Sequence, residues 1–178
     1  EETAPTAKSS HRIYLKNMLL TEDGEKLLPK WAFFLRCFIN TDNLRPTASR
    51  EDFYEDETLL LARRELSDCI VRYLEHLSRR NDALLQRIVR VHRLAVQSVA
   101  IEDDTLYRAF FPYLTFETSF GTYTGRDLLN YDQPISYTAY LDEFRQFSPI
   151  FLAKYSLLVN AGYTYVRGLL SRIHLLNP

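Results

Sequence analysis

Ile135-Ser136-Tyr137-Thr138-Ala139-Tyr140, the helical-period run 141–155 and Leu157-Leu158-Val159-Asn160 decide the fold class. The first segment suits a strand. The second places apolar side chains at steps of three and four, as a half-buried helix does. The third is a short unbroken apolar run, the mark of a strand buried on both faces. Strand, helix and strand in that order predict a βαβ crossover and hence an α/β unit, closed by a second helix over 163–175. Ser148-Pro149 interrupts the first helix. A capping serine ahead of a proline, whose missing N–H is tolerated only in a first turn, predicts a kink or restart there.

Upstream the period is helical. Leu59, Ala62, Leu66, Cys69, Tyr73 and Leu77 form one apolar stripe, and Leu85, Ile88, His92, Ala95 and Val99 form another behind the potential caps Asn81 and Asp82. Two long antiparallel helices are predicted, then a shorter one over 104–114 and an extended or hairpin-like stretch over 116–124 around Gly121. The aromatic series Tyr107, Phe110, Phe111, Tyr113, Phe116 and Phe144, Phe147, Phe151, Tyr155 are expected to be mostly core, with any exposed members free to hold other chains. Nearer the start, residues 12–19 read as a strand with Ile13, Leu15 and Leu19 on one side. Residues 21–26 read as a polar turn around Gly24. Pro29 followed by Trp31, Phe34, Leu35 and Phe38 predicts a short buried helix, and 40–48 a loop. Residues 1–10 read as a tail or junction.

Composition narrows the function. The 178 residues are 46% hydrophobic and 25% charged, enough for a real core. With 22 basic and 23 acidic residues the net charge is -1, so the general positive field of a nucleic-acid binder is missing. Cys37 and Cys69 stand far apart, which argues against a zinc site or disulfide framework, and both are expected to be reduced, buried thiols. No apolar run reaches the roughly 20 residues that span a bilayer, and the start lacks the order of a secretion signal. No membrane association and a cytoplasmic location are therefore expected.

The residues with the most chemistry are Ser49-Arg50-Glu51-Asp52. The spacing matches a capping box, with Ser49 accepting from the amide three residues on and Asp52 reaching back. That would place Arg50 in a first helical turn, where a cation opposes the helix dipole by about 0.3–1 kcal/mol. An anion beyond the helix end would reverse the sign, since a phosphate is welcomed by free amides and by a guanidinium fork alike. His92 lies on an apolar stripe and reads as an interior histidine. His11, His76 and His174 have no catalytic partner at a recognisable spacing.

Leu28-Pro29-Lys30-Trp31-Ala32-Phe33-Phe34-Leu35-Arg36, continuing Ile39-Asn40-Thr41-Asp42-Asn43-Leu44 and ending Ser49-Arg50-Glu51, resembles the middle segment of the heat-shock protein 90 family, of bacterial type. Ile135-Ser136-Tyr137-Thr138 and Phe147-Ser148-Pro149-Ile150-Phe151-Leu152 echo that family's small α/β unit in the same order. The resemblance implies the end of a ribosomal-protein-S5-like α/β subdomain over 11–54, a helical connector over 55–115 and a small α/β unit of βαβ type over 116–178. It implies an ATP-dependent molecular chaperone, active in protein folding and the stress response, with unfolded or partly folded clients as partners. The full-length protein would be a homodimer and an ATPase, using ATP with magnesium.

By position, Arg50 is the arginine that such chaperones extend to the terminal phosphate of ATP held by their own N-terminal nucleotide-binding domain, with Ser49 beside it. That is a catalytic role in the manner of an arginine finger. The fragment alone should neither bind nor hydrolyse ATP, because no glycine-rich phosphate loop is present. Two departures bear on loop shape and coupling. Leu44-Arg45-Pro46-Thr47-Ala48 stands where the family has Leu-Pro-Leu-Asn, and Tyr54 stands where a glutamine commonly follows the arginine by four residues. A non-catalytic helical protein-interaction module is the competing reading, and a small hydrolase using His92 a weaker one.

Overall fold

The computed structural model describes residues 10–23, 26–80 and 83–176. Their contacts divide the chain into two units, Glu1–His76 and Leu77–Pro178. The expected tail lies outside the described residues up to position 9, as do Gly24 of the expected polar turn and the potential caps Asn81 and Asp82.

In the first unit, β1 (Ser10–Leu15) and β2 (Met18–Asp23) form an antiparallel hairpin where one strand was expected. The link is two residues long, Lys16 and Asn17, both left-handed at φ 48° and 66°. That twist matches the right-handed twist of paired strands and is within reach of asparagine. The expected buried helix after Pro29 is instead a 3-10 turn, Lys30–Ala32. The chain then extends into β3 (Phe38–Thr41), which pairs parallel with β1 and leaves Phe38 70% exposed. Strand pairing has overridden the helical spacing of the aromatics. Ile13, Leu27, Leu44, Phe53 and Leu59 make the core of this unit, with Leu20, Ile39, Ala62 and Leu66 packed around it.

Helix α1 (Glu57–Arg80) follows the predicted stripe, and the division between the units falls within it. Asp56 caps it, accepting from the Leu59 amide at 3.0 Å. The stripe is buried at its ends, Leu59 and Leu77, but between them Leu74, which the stripe did not include, is buried while Tyr73 is exposed, and so is Cys69, against the expectation of a buried thiol there.

In the second unit the expected second long helix is two, α2 (Ala83–Val91) and α3 (Arg93–Glu102), broken at His92 with φ -113° and ψ 33°. The break redirects the chain so that Ala95, Val96 and Ala100 are buried where α3 packs on α4 (Asp104–Phe110). Asp103 caps α4 by accepting from Leu106 at 2.8 Å. A 3-10 turn, Phe111–Tyr113, leads to the hairpin β4 (Thr115–Thr118) and β5 (Gly121–Thr124). The first aromatic series is core as expected: Tyr107, Phe110, Phe111 and Phe116 are at most 2% exposed.

A short α5 (Gly125–Leu129) starts with a true capping box on Thr124 and Asp127. Then β6 (Ser136–Thr138), α6 (Leu141–Ala153) and β7 (Leu158–Asn160) complete the predicted crossover, with β6 and β7 parallel in a sheet ordered β5-β4-β7-β6. Pro149 lies inside α6, which is one helix and does not restart. Phe147 and Tyr155 are exposed rather than core, because the helix buries mainly the Phe144 side. The last helix is shorter than expected, α7 (Val166–Ser171), behind a left-handed Tyr165.

Candidate functional site

The Ser49–Asp52 segment is not a helix start. Residues 45–54 fold back on themselves, with the Tyr54 amide donating to the Arg45 carbonyl at 2.9 Å and Pro46 bridged to Phe53. One rung further on, the Thr47 amide and hydroxyl both donate to the Asp52 carbonyl, at 2.8 and 3.2 Å. At the tip the Arg50 amide donates to the Thr47 carbonyl at 2.9 Å. Ser49 and Thr47 hydroxyls lie 3.1 Å apart, so the predicted cap oxygen serves the turn. Asp52 accepts from the Phe53 amide at 2.7 Å and pairs with Lys26 at 2.5 Å, an ion pair exposed enough to add little stability.

Burial fixes the base of this loop and leaves the tip outside. Leu44 and Phe53, on either side of it, are 6% and 2% exposed. Arg50 is exposed and left-handed, with φ 57°. That conformation costs a non-glycine residue about 1–2 kcal/mol and persists only where neighbouring structure imposes it. Among the described residues, the Arg50 side chain makes neither a hydrogen bond nor an ion pair. The dipole penalty expected for a first helical turn does not arise.

Beside the tip is a cleft of about 470 Å³ that holds Lys16, Arg45 and Arg50, with Asp42 as the one carboxylate among the described lining residues. Arg45 stands over the Tyr54 ring at 5.8 Å, so the residue in the glutamine's place steadies a cation by ring contact. Lys16 is held on its turn by Asn17 and Asn40, which exchange hydrogen bonds of 3.1 and 2.9 Å. Lys16 was missed in the sequence. The Lys16-Asn17 pair between Leu15 and Met18 was the available signal, since asparagine between apolar runs marks a tight turn. Three cations around one cleft make a local positive potential suited to phosphate oxygens, although the chain as a whole is nearly neutral.

The remaining candidates do not join this site. His92 sits at the break between α2 and α3. His11 is buried on β1 and accepts from the Cys37 amide at 3.3 Å, and burial holds its pKa below 6.5 while Asp23 acts the other way. Burial likewise pushes the Cys37 thiol up. Among the described residues no group of three His, Cys, Asp or Glu side chains could hold a metal ion, and no helix is long and apolar enough to cross a membrane.

The family model described as Hsp90 protein matches residues 1–143, most of the chain. The chain belongs to the Hsp90 family. Its fold is similar to the middle domain of a putative heat shock protein of Plasmodium falciparum, with a TM-score of 0.61 at 13% identity, over 93% of this chain and 68% of that one. At that identity the likeness speaks to fold alone. The mixed α/β architecture of this Hsp90 chain, with two small sheets and intervening helices, is that of an Hsp90 middle domain, and family membership supports a chaperone role.

Proposed function

We propose that this Hsp90 chain is the middle segment of an ATP-driven chaperone and that Arg50 reaches the terminal phosphate of ATP held on a separate N-terminal nucleotide-binding domain. One observation carries the reading: the Arg50 guanidinium is exposed at the tip of a loop clamped at its base, with no bonding partner among the described residues. ATP, with its magnesium, would arrive on that other domain and supply the phosphoanhydride to be broken. The part played by this chain is electrostatic. Arg50 offers a planar fork of donors to the phosphoryl oxygens, and an arginine used in this way is worth on the order of 10³–10⁵ in rate. Lys16 and Arg45 raise the potential that draws the phosphate to the tip, and Ser49 holds the turn through Thr47.

In the same proposal the full-length protein is a cytoplasmic homodimer. Exposed apolar side chains of the second unit, Tyr140, Phe147, Ile150 and Tyr155 among them, offer a surface for unfolded or partly folded clients. The test is steady-state ATP hydrolysis and nucleotide affinity of the full-length protein with Arg50→Ala. Turnover should fall steeply at nearly unchanged affinity. Turnover equal to that of the unmodified protein would remove Arg50 from the mechanism.

A further inference from the structure

The second unit contains a larger cleft, of about 780 Å³, that the proposed ATPase role does not use. One wall is α2, whose Ala83, Arg87 and Arg90 recur at steps of three and four and so share a face, with Arg93 following at the start of α3. The other wall is the turn carrying Pro112 and Tyr113, then Thr115 and Thr124, paired across the β4–β5 hairpin, and Arg126. Tyr113 is fixed in place: its hydroxyl donates to the Ser78 carbonyl at 2.7 Å, and Arg126 stands over its ring at 5.4 Å.

Four arginines therefore line one cleft, and no carboxylate is among the described residues that line it, although Arg93 also borders a smaller cleft that holds Glu117. Arg87, Arg90 and Arg93 make no ion pair with the described residues. Asp127 is the carboxylate next to Arg126, but it is engaged by the Thr124 amide and hydroxyl, both at 2.7 Å. Like charges three apart on a helix oppose folding, and among the described residues no ion pair offsets Arg87 beside Arg90. The floor between the arginines is apolar, made by buried Val89, Pro112 and the Tyr113 ring.

We infer that this cleft binds an acidic peptide segment of a partner protein, one that alternates carboxylate and apolar side chains. Carboxylates meet guanidinium forks bidentately, and an apolar side chain covers the floor that a bare phosphate would leave wet. The inference is independent of Arg50, which lies in the other unit.

The test is fluorescence anisotropy with the complete chain and a short labelled peptide alternating glutamate with leucine. Binding should be saturable, should weaken with added salt, and should be untouched by Arg50→Ala. Reversing two exposed rim charges together, Arg87→Glu with Arg90→Glu, should weaken it about ten-fold or more. Should that pair lower the folded fraction by circular dichroism, Arg93→Glu with Arg126→Glu provides the same readout from other elements. No saturable binding, or binding indifferent to both reversals, overturns the inference. So does displacement of the peptide by inorganic tripolyphosphate at or below the concentration at which unlabelled peptide displaces it, which would make the cleft a phosphate site.

Discussion

The Arg50 amide donates to the carbonyl of Thr47 at 2.9 Å, and that bond holds Arg50 in the left-handed region, at φ 57°. The same contact that strains the backbone sets the side chain beyond the loop. Conformation and charge can therefore be separated by substitution. In the full-length protein Arg50→Gly removes the guanidinium and the strain together, while Arg50→Ala removes only the guanidinium. Both should lose ATP turnover to a similar degree. Relief of about 1 kcal/mol of strain roughly cancels the extra freedom glycine gains in the unfolded chain. The thermal midpoint of Arg50→Gly should therefore stay within a few degrees of the parent, and calorimetry beside the ATPase assay checks both.

Phe53 anchors the loop from beneath. It is 2% exposed among Ile13, Leu27, Leu44 and Leu59, so Phe53→Ala should cost about 3–5 kcal/mol through lost burial and the cavity left behind. Urea unfolding followed by circular dichroism measures it. A cost under about 1 kcal/mol would mean that the first unit does not close on this residue.

Gly125 carries a steric demand. A Cβ added there would lie 1.9 Å from the Phe111 carbonyl oxygen, which is main chain and cannot swing aside. Gly125→Ala should destabilise the second unit by about 1–3 kcal/mol. Gly121→Ala, in open space but at φ 100°, should be destabilising through backbone conformation instead. Comparing the two unfolding midpoints with that of the parent tests both causes.

His11 makes the stability of the first unit depend on pH. Burial holds its folded pKa below 6.5, and the Cys37 amide needs an unprotonated Nδ1 as acceptor. In the unfolded chain His11 takes up a proton near its ordinary value of about 6.5, so below that value the unfolded state binds more protons than the folded one. Stability is therefore complete above about 6.5 and declines as the pH falls through the window down to the folded pKa, levelling off beneath it. His11→Gln should flatten that part of the profile in urea midpoints measured across it. An unchanged slope would show that His11 is not its source.

Asn160, 1% exposed on β7, donates to Glu117 at 2.7 Å and accepts from the Gly162 amide at 3.0 Å. Asn160→Ala should cost about 1–3 kcal/mol, since it removes both hydrogen bonds of a buried side chain, the one to Glu117 and the one from the Gly162 amide. Replacement by aspartate keeps that acceptor but sets a second carboxylate against Glu117, and it should also destabilise. The two urea midpoints provide the check.

Elements whose pattern reports a local property were legible in the chain. The stripe of α1, the aromatic face of α4, the β4–β5 hairpin and the β6-α6-β7 crossover each follow from periodicity, because a helix or strand must put its apolar side chains on one face to bury them. Arg50 was legible as a residue in need of an explanation, though for a reason that did not hold. The capping-box spacing at Ser49 and Asp52 is genuine, but the pairing of Pro46 with Phe53 bends that stretch into a closed loop first. The same spacing at Thr124 and Asp127 does cap a helix, which shows how little it decides alone.

Residue order by itself determined which segments carry apolar faces, that an α/β crossover closes the chain, and that one cation sits in a run typical of the Hsp90 family. Tertiary structure alone decided that Phe38 joins a strand, that the helix breaks at His92, and that Lys16 and Arg45 share a cleft with Arg50. Periodicity records only what each residue's near neighbours require. Strand partners and cleft walls come from residues distant in the chain, and their contacts outweigh local preferences of a fraction of a kcal/mol per residue, on the order of what propensity supplies.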